Sequence, residues 1–344
     1  MQTIINMASE RNGGGAASAG AAFDLSSYSL EKLRKDPQFV LYRGRGTGVL
    51  PHILVVAPDS ERDHYRAVER LEREYTLRTE LDPAWAAIPI ALVPHNGRTM
   101  LVLKDPGGEP LGRLLDAPLE LTRFLQLAIG LATALSRLEK HGIVHRDIKP
   151  DNVMVNAGSG QVWLTGFGVS ISLLSEPKSR DFKETIAGTL AYMAPEQTGR
   201  MNRTTDERSD LYSLGVTLHQ MLTGVLPFVA SDPLELVHCH IARLPLPLEE
   251  HRKDVPAALS AIVLKLLAKI PEERYQTAAG LESDLRRCLQ DWLSLGRIEP
   301  FALGALDAPN RLTISQKLYG RDKERTALLE AFDRVMETSS PEVV

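Results

Sequence analysis

Between Tyr28 and Leu103 the apolar residues come in short runs, Phe39-Val40-Leu41-Tyr42, Ile53-Leu54-Val55-Val56, Ile88 to Val93 and Met100 to Leu103, separated by turn formers. Short apolar runs bounded in this way predict strands, here of one small sheet. A single segment departs from the pattern: from Tyr65 to Leu81 the apolar positions recur at helical spacing, which predicts a helix set between strands. Beyond Leu121 helical periods dominate, as in Leu125 to Leu135 and Ile262 to Leu267. The expectation is an α+β chain, mainly β in a small first part and mainly α in a larger second part.

The two ends carry no such pattern. Residues 1–22 include Gly13-Gly14-Gly15-Ala16-Ala17-Ser18-Ala19-Gly20 and read as a disordered tail. They lack the apolar h-region of a secretory signal, so a cytoplasmic location is expected. From Leu295 to Gln316 the chain holds Pro300, Gly304 and Pro309 with few periodic apolar positions, as an interdomain linker does.

Composition narrows the function classes. With 344 residues, 43% apolar and 24% charged, the chain can bury a large core, and its length suggests one large domain plus flanking pieces. A net charge of −4 gives no basic footprint for nucleic acid. No run approaches the roughly 18 consecutive apolar residues of a membrane span. Two cysteines, Cys239 and Cys288, are too few for a disulfide framework and fit a reducing compartment. His238-Cys239-His240 sits between Pro233 and Pro245 on an expected helix, where adjacent side chains diverge and cannot share one metal.

The chemistry lies in His145-Arg146-Asp147-Ile148-Lys149-Pro150-Asp151-Asn152-Val153-Met154. This decapeptide resembles the catalytic loop of the protein kinase superfamily, H-R-D-x-x-x-x-N, and Lys149 resembles the serine/threonine type. The resemblance implies phosphoryl transfer to a hydroxyl, which needs a carboxylate to take the hydroxyl proton, the expected role of Asp147. It needs an oxygen ligand for a metal bridging the phosphates, for which Asn152 is the candidate. The Lys149 ammonium can lie against the transferring group. Gly188-Thr189-Leu190-Ala191-Tyr192-Met193-Ala194-Pro195-Glu196 is similar to the end of a kinase activation segment. Ser209-Asp210-Leu211-Tyr212 resembles the start of the buried helix that follows, and Pro271-Glu272-Glu273-Arg274-Tyr275 supplies an arginine of the kind that pairs with the Glu196 position.

The resemblance implies a bilobal fold, with an N-lobe over 23–103 and a C-lobe over 104–294, and ATP with magnesium as candidate cofactors. It implies structural roles for Arg146, Phe167, Glu196, Asp210 and Arg274. The parts that hold nucleotide are damaged. Laid on Leu33 to Tyr42, the glycine pattern puts Arg34, Asp36 and Phe39 at the three glycine positions. The lysine expected on the next strand falls at Val55, although its carboxylate partner survives as Glu74 in Arg70-Leu71-Glu72-Arg73-Glu74-Tyr75. That carboxylate is expected to turn to Arg73, Arg78 or Lys35. Lys35 or Arg43 could replace the lost cation, as in the with-no-lysine kinases. At Gly166-Phe167-Gly168 glycine stands where the metal-binding aspartate belongs. Leu103 and Asp105, at the presumed hinge, complete the candidate nucleotide contacts.

The hinge stretch Leu103-Lys104-Asp105-Pro106-Gly107-Gly108-Glu109-Pro110-Leu111 and Thr198-Gly199-Arg200-Met201-Asn202-Arg203 resemble the N-terminal kinase-like domain of large hybrid sensor histidine kinases. Leu318-Tyr319-Gly320-Arg321-Asp322-Lys323-Glu324-Arg325 resembles the entry to the AAA-type ATPase domain that follows it there, so residues 317–344 read as a truncated start of such a domain. Adjoining ATPase and histidine-kinase modules are then expected neighbours, and proteins the expected partners or substrates. Three functional readings follow: a kinase-like regulator with weak or lost phosphoryl transfer, an active serine/threonine kinase with an unusual nucleotide site, and a nucleotide-free interaction module. Ser170, Ser172, Ser175, Ser179, Thr185 and Thr189 are hydroxyls at activation-segment positions.

Overall fold

In a computed structural model of the chain, the described residues are 23–59, 64–156, 158–173, 189–201 and 203–308. The tail 1–22, Ser175, Ser179, Thr185 and the stretch 309–344 that resembles an ATPase entry lie outside them.

The apolar runs of the first part form strands β1 (Tyr28–Lys35), β2 (Phe39–Gly46), β3 (Ile53–Pro58), β4 (Pro89–His95) and β5 (Arg98–Lys104). They pair antiparallel in the order β1-β2-β3-β5-β4. Helix α1 (His64–Thr76) lies between β3 and β4 and continues into a short 3-10 turn, Leu77–Thr79, filling the range expected to be helical. Every residue of β3 is buried. One face of the sheet carries Leu33, Leu41, Leu54, Val56, Leu101 and Leu103, packed with Leu71 of α1. The other carries Ile53, Val55, Val93 and Val102, covered by Leu25.

The second part is built on α2 (Leu121–Lys140), α3 (Glu207–Thr223), α4 (Pro233–Ala242), α5 (Leu248–His251), α6 (Ala257–Leu266) and α7 (Ala278–Leu295). Capping fixes the ends of the two central helices. The Glu120 carboxylate accepts the amides of Thr122 and Arg123 at the start of α2. Asp206 caps α3 at one end, and at the other Gly224 turns left-handed at φ 78°. A single large core runs through α2, α3, α6 and α7, with Phe124, Leu131, Leu211, Tyr212, Leu214 and Leu285 fully enclosed. Each large aliphatic side chain so enclosed contributes roughly 1.5–3 kcal/mol.

The described part of the expected linker, 295–308, folds back on the helices. Asp307 accepts the amides of Gln276 and Thr277 at 2.7 and 2.9 Å, and Gly304 donates to Asp284 at 2.7 Å. Ile298, Phe301 and Leu303 pack against the core. Cys239 and Cys288 are free and buried. Among the described residues no helix is long and apolar enough to cross a membrane.

Between the two parts run short strands β6 (Glu109–Pro110), β7 (Ile143–Val144), β8 (Val153–Val155), β9 (Val162–Leu164) and β10 (Ile171–Ser172). β7 and β8 bracket the His145 to Asn152 loop, and β9 leads directly into Gly166. The candidate chemistry therefore sits where the sheet meets the helices.

Candidate active site

The loop after β7 is anchored from below. The Asp210 carboxylate at the start of α3 accepts the amides of His145 and Arg146 at 2.6 and 2.8 Å. These bonds hold Arg146 at φ 67°, a left-handed conformation that non-glycine residues rarely adopt. Burial pushes the Asp210 carboxyl up to about 7 against the pull of both amides. The His145 ring lies 4.6 Å from that of Phe167, and its Nε2 is 3.1 Å from the Thr165 carbonyl. Deeper still, Arg274 donates two bonds to Glu196 at 2.7 and 2.9 Å with both side chains fully enclosed.

On this base Asp147, Lys149 and Asn152 converge. Asp147 Oδ1 accepts the Thr189 amide at 2.8 Å, and Oδ2 accepts Asn152 Nδ2 at 2.8 Å. Lys149 Nζ lies 3.3 Å from Asp147 Oδ2 and donates to Thr189 Oγ1 at 2.6 Å. Burial alone would raise the Asp147 carboxyl, but Lys149, His145 and the bond from Thr189 outweigh it and hold it below the ordinary range. A carboxylate held ionised in this way can accept the proton of a hydroxyl brought within hydrogen-bond reach.

The N-lobe side departs from expectation. Lys35 pairs with Asp59 at 2.8 Å, its side chain 55% exposed, and does not face the site. Arg43 is drawn to the hinge, where it donates to Asp105 and Glu109 at 2.7 Å each and to the Gly108 carbonyl. Neither expected substitute cation reaches the catalytic loop. Arg34 does: Nη1 is 2.8 Å from Asp36 Oδ2 and Nη2 donates to Asn152 Oδ1 at 2.9 Å. Glu74 turns to none of Arg73, Arg78 or Lys35; it accepts the Gly166 amide at 3.2 Å. Burial raises its carboxyl to about 7, opposed by the amides of Gly166 and Phe167 and by the charge of Arg34.

Strand alternation corrects one position. Val55 faces the outer cluster with Leu25, Val93 and Val102, whereas Val56 shares the inner face with Leu54 and lines the cleft that Glu74 also lines. The place of the missing lysine is therefore Val56.

Leu103 and Asp105 are no longer open to a nucleotide. Leu103 is fully buried and packs with Leu33, Leu41, Leu54 and Met154, each at most 4% exposed. Asp105 accepts from Arg43 and from the Gly107 amide. Arg113 fastens β1 over this cluster by donating to the carbonyls of Lys32 and Leu33 at 2.9 and 2.8 Å. A cavity of about 280 Å³ remains at the other end of the cleft, lined by Arg34, Asp36, Val56, Glu74, Asp147 and Asn152 among others.

Magnesium does not fit these residues. Asn152 Oδ1, the expected ligand atom, already accepts a guanidinium, and Gly166 offers no side-chain oxygen. A Cβ built on Gly166 would stand 2.8 Å from Asn152 Cγ and Oδ1, so the amide fills the space an aspartate would need. Among the described residues there is no group of three or more His, Cys, Asp or Glu side chains able to hold an ion.

A five-stranded antiparallel sheet with one helix, set on a helical lobe, with an ionised aspartate and a lysine in the loop between, defines the protein-kinase class. The sequence agrees: the protein kinase domain model matches residues 65–285, and the chain belongs to that family. It is 36% identical over 216 residues to the serine/threonine-protein kinase PknB of Mycolicibacterium smegmatis, covering 63% of this chain and 31% of that protein. It is 32% identical over 306 aligned residues to hybrid signal transduction histidine kinase G of Dictyostelium discoideum, covering 64% of this chain and 9% of that protein. A probable serine/threonine-protein kinase of Clostridium perfringens is 29% identical over 238 residues, 34% of its length. The matched region thus spans about a third or less of each of these relatives.

Proposed function

We propose that this domain is a pseudokinase: a serine/threonine-kinase fold that acts through contacts with other proteins and has weak or no phosphoryl transfer. The observation that carries this reading is the closed packing of Leu33, Leu41, Leu54, Leu103 and Met154 at the hinge side of the cleft. A purine needs an open apolar slot there, and opening one means parting five enclosed side chains and the Arg113 bonds above them. The similarity to a hybrid signal transduction histidine kinase supports a place in a signalling protein, with a histidine-kinase module in a longer chain.

The arrangement of Asp147, Lys149 and Thr189 favours a second reading, an active serine/threonine kinase with an unusual nucleotide pose, because base and ammonium stand ready for a hydroxyl. Thermal denaturation with ATP, with and without magnesium, separates the two. No stabilisation and no transfer of labelled phosphate supports the pseudokinase. Magnesium-dependent stabilisation, with transfer that disappears in Asp147→Ala, establishes the kinase instead.

A further inference from the structure

The guanidinium of Arg34 bridges two oxygens from opposite sides of the cleft, Asp36 Oδ2 on the turn between β1 and β2 and Asn152 Oδ1 on the catalytic loop. Asp36 is itself fixed, its Oδ1 accepting the amides of Gln38 and Phe39 at 2.8 and 2.7 Å. Asn152 is fixed too, its Nδ2 donating to the carbonyl and carboxylate of Asp147. Two oxygens held from opposite lobes, with a third at Asp147 Oδ2 nearby, form the kind of partial shell a hard divalent cation seeks. Here a side-chain cation is seated between them, only 8% exposed.

We infer that Arg34 is a resident cation that takes the place of a divalent metal, joining the lobes without nucleotide and excluding metal from the cleft. This deepens the pseudokinase reading and rests on it in part. Charge explains why the substitution is stable. A cation near Asp36 and Asp147 offsets their mutual repulsion, and Lys149, 3.7 Å from Asp36, supplies a second. A guanidinium tethered to β1 also carries its charge into the cleft permanently, whereas a metal leaves with its ligand. The planar fork matters, since its two terminal nitrogens reach the two oxygens at once.

Two further observations agree. Gly166 removes the ligand a metal would most need, and the Asn152 amide has taken that space, as it could not if an aspartate stood there. Arg34 Nε is buried and without a hydrogen-bond partner while lining the 280 Å³ cavity, so the side chain holds its seat through the two terminal bonds.

The test uses the full chain and manganous ion alone, followed by electron paramagnetic resonance of free Mn²⁺. The unaltered protein is expected to take up none at this site, with a melting temperature indifferent to Mg²⁺ or EDTA. Arg34→Ala is expected to gain a weak Mn²⁺ site, and adding Asn152→Ala is expected to weaken that site by on the order of tenfold. Arg34→Lys, which keeps a cation, is expected to stay metal-free and guards against simple misfolding of the alanine variant. Hydrogen exchange of residues 145–155 is expected to quicken in Arg34→Ala and, to a lesser degree, in Arg34→Lys, which keeps the charge but not the two-nitrogen bridge. Mn²⁺ uptake by the unaltered chain that is lost in Asn152→Ala overturns the inference, as does a folded Arg34→Ala that gains no site. Phosphate transfer from metal-free ATP would overturn the pseudokinase reading and leave this inference standing.

Discussion

Gly166 and Asn152 compete for one space. Gly166 sits at φ 82°, and a Cβ there would lie 2.8 Å from the Asn152 amide carbon and oxygen. Restoring the family aspartate is therefore not a repair. Gly166→Asp forces a side chain into a left-handed backbone and pushes Asn152 off Asp147. The expected cost is about 2–4 kcal/mol, with no gain of phosphate transfer. Chemical denaturation and a labelled-ATP assay check it; a variant as stable as the parent, or one that becomes an efficient kinase, contradicts the account.

Glu74 should make stability fall as the solution becomes less acid. Its folded value is about 7 and the ordinary value is 4.5, because burial disfavours the carboxylate. Between those values the folded state binds the proton and the unfolded state does not, so stability is greatest below about 4.5 and declines up to about 7. Asp210 and Glu139, also raised by burial, act in the same direction, and His145, lowered to about 4, acts oppositely. The contribution of Glu74 is read as a difference. Glu74→Gln keeps an acceptor for the Gly166 amide and is expected to gain on the parent between pH 5 and 7, by roughly 1–3 kcal/mol. Parallel stability profiles for the two proteins would sink the assignment.

Arg274 carries an architectural prediction. Its guanidinium pairs with Glu196, donates to the carbonyls of Ala268, Arg208 and Lys269, and lies 4.9 Å from the Tyr212 ring centroid. Arg274→Ala leaves a buried carboxylate with only the Ser209 hydroxyl as side-chain partner and is expected to cost about 3–5 kcal/mol. Urea unfolding measures it. A loss under about 1 kcal/mol would mean that water reaches Glu196 in the variant.

What could be read from the sequence follows the family motifs. The catalytic loop, Phe167, Asp210 and the Glu196 and Arg274 pair, 78 positions apart, were legible because each matches a motif of the protein kinase family. Arg34 was legible as a cation at a lost glycine position that could offset Asp36, but not as a partner of Asn152, which stands 118 positions away. The signal available was a cation at a glycine position together with a missing metal ligand at Gly166. The hinge was read as open because nothing local reveals that Arg43 and Arg113 converge on Glu109.

The phase of β3 was illegible for a different reason, and it supports the sharpest test of the site. A strand buried on both faces reads as an unbroken apolar run, so Ile53-Leu54-Val55-Val56-Ala57 has no polar residue to say which side chains face the cleft. The structure sets the phase by pairing Val55 with Tyr42 and Val102 and enclosing it in the outer cluster. Val55→Lys therefore buries an ammonium among Leu25, Ile53, Val93 and Val102 and is expected to cost about 3 kcal/mol or more. Val56→Lys instead directs an ammonium into the cavity that Glu74 lines, where a buried carboxylate lacks a lysine partner; it is expected to cost less by about 2 kcal/mol and to lower the Glu74 carboxyl. Unfolding free energies of the two variants at pH 7 decide the phase: equal losses, or a milder Val55→Lys, would place the cleft face of β3 one residue earlier than the structure does.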